Sequence, residues 1–154
     1  MKPTILYCLA ASIILFIVAF YFNDEIFDFF LSFFKDGHLI ISQQGVGSPF
    51  VVVLKVCLSV GIIPLIILIV WIAGKISSFS KRIFSILVVI VCIAITIMLN
   101  VFRIKSHEMV MTNLPAHVYF PLEELFFEYA IAVGAISGAV ISYLAFRKRK
   151  IMKN

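Results

Sequence analysis

Four long apolar runs are separated by short polar stretches, and this alternation predicts the fold. The runs cover about residues 5–22, 50–73, 83–102 and 120–146. Each is near the roughly 20 residues that a helix needs to cross a bilayer. The last is the longest, which implies tilt or a start in the interface. Turn residues lie between them, from Ser42 to Pro49 and around Gly74. The expected fold is all-α: one polytopic membrane domain over residues 1–154, an antiparallel four-helix transmembrane bundle. The first run is expected to be an uncleaved span. It exceeds a signal peptide's usual 7–15-residue apolar core, and its exit, Phe20-Tyr21-Phe22-Asn23-Asp24, has no small-x-small site.

The first polar stretch adds one element. Asp24, Glu25 and Asp28 share a helical face, and phenylalanines fill the rest of residues 26–34. The pattern predicts an amphipathic helix lying in the headgroup layer.

Composition excludes a soluble domain. The chain is 63% hydrophobic and 14% charged, against about 45–50% and about 25% in soluble domains. Its mean hydropathy is +1.15. The net charge of +5 hides a strong asymmetry. Lys2, Lys75, Lys81, Arg82, Arg147, Lys148, Arg149, Lys150 and Lys153 lie at one end of the spans with no acid among them. All eight acids lie at the other end, with Lys35, Lys55, Arg103 and Lys105. The positive-inside rule then puts both termini, loop 74–82 and tail 147–154 in the cytoplasm, and loops 23–49 and 103–119 outside. A multi-pass protein of the bacterial inner membrane is expected. The short basic tail is too little for nucleic-acid binding. Cys8, Cys57 and Cys92 fall inside apolar runs without a C-x-x-C spacing, so neither disulfide, metal nor cofactor is expected.

Polar residues at the outer side are the candidate sites. Lys55 lies about one turn inside the second run, and a lysine there either snorkels or finds a carboxylate. The fourth run opens Pro121-Leu122-Glu123-Glu124-Leu125-Phe126-Phe127-Glu128. On a helix, Glu124 and Glu128 would share a face, and either could pair with Lys55. Arg103 closes the third run beside Asn100 and is expected to anchor in the phosphates. Asp24, Asp28 and Glu108 are further candidates for partner recognition. Pro64 predicts a kink in the second run. Ala130, Gly134, Gly138 and Ser142 form a stripe of small residues that permits close helix approach, within the chain or in a homo-oligomer.

Enzymatic chemistry is not expected. Pro121 followed by Glu123-Glu124 is similar to the Pro-x-Glu-Glu motif of small membrane lycopene cyclases. The Trp-Asp signature of that family is absent, and the sole tryptophan, Trp71, lies near the inner end of the second run. A transporter or channel subunit would need polar groups near mid-membrane, where Thr96 is the main one.

Several stretches spread over the chain carry a broader resemblance. They are Ile5-Leu6-Tyr7, Ile13-Ile14, Asn23-Asp24, an outer loop ending at Pro49, Pro64 in the second run, Lys75 closing it, Phe102-Arg103 followed by Glu108, and a basic tail. In this plan the chain resembles the immunity proteins of pore-forming colicins of the A, B and N type. Where the A and B members read Glu-Leu-Thr-Thr-Ala-Gly, this chain reads Glu108-Met109-Val110-Met111-Thr112-Asn113. The family's Lys-Thr before the second-span proline is also missing. The resemblance implies an inner-membrane, plasmid-borne protein that binds the inserting helical hairpin of a pore-forming bacteriocin and prevents channel opening. Plasmid- or phage-exclusion membrane proteins share the same general plan.

Overall fold

The computed structural model describes residues 2–34, 39–42, 49–111, 118–121 and 125–151, with side chains over 3–34, 50–106 and 125–146. The helices are α1 (Lys2–Tyr21), α2 (Asn23–Ser32), α3 (Pro49–Gly61), α4 (Ile63–Ala73), α5 (Phe79–Met111) and α6 (Phe127–Ile151). Four stretches are long and apolar enough to cross a membrane: Pro3–Tyr21, Phe50–Ala73, Phe79–Ser106 and Phe127–Phe146. The membrane-length elements are thus all helical.

Outside them, β1 (Leu39–Ser42) and β2 (Val118–Pro121) pair in parallel, Leu39 opposite Val118 and Ser42 opposite Pro121. Both segments were expected to be loop or, from Phe120, helix. The ladder ties together the two long connections at the acidic end of the bundle, where Asp24, Glu25, Asp28 and Glu128 lie.

Two helix boundaries differ from the hydropathy pattern. The third helix extends in both directions beyond 83–102, because Lys81, Arg82, Arg103 and Lys105 are good helix formers and charge alone does not end a helix. Residues 103–111 are therefore helix rather than loop. The fourth helix starts at Phe127, not 120. Pro121 ends β2, and Phe126 has a φ of 50°, a left-handed turn that interrupts any helix.

The kink in the second span is sharp enough to divide it into α3 and α4. Pro64 has no N–H to offer the carbonyl of Val60. One residue on, the Leu65 N–H turns to Ile62 O at 3.1 Å, which leaves Gly61 O available. The Ser12 hydroxyl of α1 donates to that carbonyl. Gly61 lets α1 come this close: a Cβ there would stand 3.2 Å from Cβ of Phe16. A sequence feature of one helix thereby fixes where α1 docks.

α5 and α6 form the tightest pair, and the small stripe lies between them. A Cβ on Gly134 would meet Ile93 Cα at 2.5 Å, and one on Gly138 would meet Val89 Cα at 2.6 Å. Thr96 Oγ1 donates across the pair to Ala130 O at 2.7 Å. Val89, Ala135 and Ser142 are fully buried. Lipid tails are as apolar as the helices, so such close backbone approach, with its dispersion contacts and the interhelical hydrogen bond, does the holding.

Candidate functional site

Among the described residues, the acidic end carries an ion pair and several aromatic contacts. Glu128 is the second residue of α6, where the positive end of the helix dipole favours a carboxylate. Its side chain is 9% exposed, and Oε1 lies 4.0 Å from Nζ of Lys55 on α3, itself 47% exposed. The separation is at the outer limit of an ion pair. The structure thus brings together Lys55 and Glu128; Glu123 and Glu124 lie outside the described residues.

Phenylalanines close this end. Phe30 of α2 stacks on Phe127 with centroids 4.2 Å apart and planes 11° apart. Phe30 and Phe34 join Val56, Val101, Ile104, Leu125, Phe127 and Ile131 in one buried cluster. The segment is indeed a separate amphipathic helix, with Asp24, Glu25 and Asp28 exposed. Its apolar side, however, packs on protein rather than only on the headgroup layer. Aromatic stacking on a buried partner supplies the reason. Phe30→Ala should therefore destabilise the fold by about 3 kcal/mol, as a large cavity-forming change. Thermal unfolding in detergent measures this, and a melt equal to wild type would mean α2 is not part of the core.

The turn into α6 is held from α5. Asn100 Nδ2 donates to Leu125 O at 2.5 Å, which fixes the backbone just before the left-handed Phe126. The Arg103 guanidinium stands 5.3 Å from the centre of the Phe126 ring. Asn100, Arg103, Phe126, Thr96, Leu99, Tyr129 and Val133 line a shallow groove of about 480 Å³ between α5 and α6. Leu99, Tyr129 and Val133 are exposed on the outside of the bundle, so the groove opens sideways.

The remaining sequence candidates are dispersed. Pro64 is buried in α4. Gly134 and Gly138 are turned to α5, the Ala130 carbonyl accepts from Thr96 of α5, and Ser142 is buried. Glu108 belongs to the last turns of α5, and its side chain is outside the described set. Among the described residues no group of His, Cys, Asp and Glu could hold a metal ion, and Cys8, Cys57 and Cys92 are free thiols. The sequence pattern places Asn100 at a span end and Phe30 on an interfacial helix; their latching roles depend on contacts across the fold.

No family model, curated protein or solved structure matches the chain.

Proposed function

We propose that the chain is an immunity protein of the bacterial inner membrane, which binds the inserting helical hairpin of a pore-forming bacteriocin and blocks channel opening. The observation that carries this reading is the lateral groove between α5 and α6. A helix already in the bilayer would meet the groove from the side, seat on Leu99, Tyr129 and Val133, and find a few polar groups along it, Thr96, Asn100 and Arg103. That is the pattern of helix-in-groove recognition, with apolar contact supplying the area and a few polar groups setting register. In the orientation given by the positive-inside rule the Arg103 end faces outward, the side from which a toxin arrives. The exposed Asp24, Glu25 and Asp28 would draw in a basic toxin segment. The colicin-immunity resemblance supports the same reading.

A challenge of expressing Gram-negative cells with a panel of pore-forming bacteriocins, and a nuclease bacteriocin as control, tests it. Selective survival against a pore-former is the expected result. Equal killing by every pore-former would contradict the proposal.

A further inference from the structure

The basic end holds a second cleft, unrelated to the groove above. Ile5 of α1, Leu68, Trp71 and Ile72 of α4, and the cations Lys75 and Arg82 line it, and its volume is about 480 Å³. This lies within the size range of small-molecule sites. Two cations stand at one end of walls that are otherwise largely apolar.

Both cations are placed by the backbone around them. Lys75 has a φ of 50°, a conformation that glycine adopts freely and lysine only at a cost. The turn is a Schellman motif closing α4: Lys75 N–H bonds Ile72 O at 3.1 Å and Ile76 N–H bonds Trp71 O at 2.9 Å. Gly74 stands one position too early to take the left-handed place. Arg82 is held by Nε donating to Ile76 O at 3.3 Å, with its guanidinium carbon 5.0 Å from the centre of the Trp71 ring. Trp71 is held in turn, its Nε1 donating to Ser85 Oγ at 2.7 Å. Among the described residues the Arg82 Nη groups make no hydrogen bond, so the two remaining nitrogens are available to an incoming acceptor.

The surrounding charge selects an anion. α5 opens at Phe79 with Lys81 and Arg82 in its first residues, where a helix ordinarily carries acids. The positive end of the dipole and the side-chain cations therefore add. No acidic residue occurs anywhere in residues 1–23, 37–107 or 129–154 to neutralise them.

We propose that this cleft binds an anionic phospholipid, its headgroup phosphate held by Lys75 and Arg82 and an acyl chain lying between α1 and α4. A free phosphate shares the headgroup's chemistry but would leave the apolar walls empty. Basic pockets between spanning helices at the cytoplasmic surface suit such headgroups. A bound lipid would join α1 to the turn between α4 and α5.

Trp71, the one tryptophan of the chain, makes the test direct. The full-length protein is reconstituted in phosphatidylcholine vesicles containing brominated phosphatidylglycerol or, at equal mole fraction, brominated phosphatidylcholine. Brominated phosphatidylglycerol is expected to quench Trp71 more strongly. Lys75→Gly and Arg82→Gln should each weaken that preference about five-fold. Lys75→Gly should melt no lower than wild type, since glycine suits the left-handed turn, so its loss of preference reports the charge and not the fold. Inorganic phosphate should not compete. Equal quenching by the two lipids, or a preference that survives in Lys75→Gly, overturns the proposal. Competition by phosphate would do so too, in favour of a soluble anion.

Discussion

Replacing both Gly134 and Gly138 by alanine removes the folded protein. The added methyl groups would stand 2.5 Å from Ile93 Cα and 2.6 Å from Val89 Cα. Both obstacles are backbone, so no side-chain rotation relieves them, and α5 and α6 must move apart. Separation strips contacts from Val89 and Ala135, both fully buried, and lengthens the Thr96–Ala130 hydrogen bond. Overpacking alone costs about 1–3 kcal/mol per site. Two sites with the lost contacts come to a large part of the roughly 5–15 kcal/mol that holds a domain together. Limited proteolysis and thermal unfolding in detergent measure the loss. The outcome also decides what the small stripe is for. If the double variant melts like wild type but a dimer disappears, the stripe is a contact between copies rather than the seam of one chain.

Removing Lys55 costs more than removing Glu128, and removing both restores most of the stability. The asymmetry comes from exposure, 47% for the lysine side chain and 9% for the glutamate. Lys55→Leu leaves a buried carboxylate with no cation, a change of about 3 kcal/mol or more. Glu128→Gln leaves a lysine that can extend to the interface, so the loss should be about 1 kcal/mol. In the double variant, Lys55→Leu with Glu128→Gln, neither charge remains to be compensated. A charge swap, Lys55→Glu with Glu128→Lys, should rescue only partly, because a lysine at the start of α6 opposes the helix dipole. Melting temperatures of the four variants check this. Single effects that simply add in the double variant would show that the two residues do not interact.

The spans, and the need of Lys55 either to snorkel or to find a span-four carboxylate, were legible in the sequence for one reason. A bilayer leaves few options to a long apolar run, and few to a charge inside one. Pro64 was legible because its missing N–H acts locally. The start of α6 was not, because the interruption at Leu125 and Phe126 is held by Asn100 of another helix. The β1–β2 ladder joins segments far apart in the chain, each too short to show a period of its own. For α2, the phenylalanines looked suited to lipid. Only the position of Phe127 shows that Phe30 has a protein partner. Ser12 on Gly61 O is of the same kind, a polar residue whose role exists only once α1 and the kink meet.

The most direct test of the proposed function is ion efflux from reconstituted vesicles. Potassium-loaded vesicles with and without the protein are exposed to the pore-forming bacteriocin that expressing cells survive. The account predicts that toxin still binds the vesicles but efflux is suppressed, and that bulky substitutions at Leu99 and Val133 in the α5–α6 groove restore it. Efflux that proceeds at the same rate with and without the protein would contradict the account.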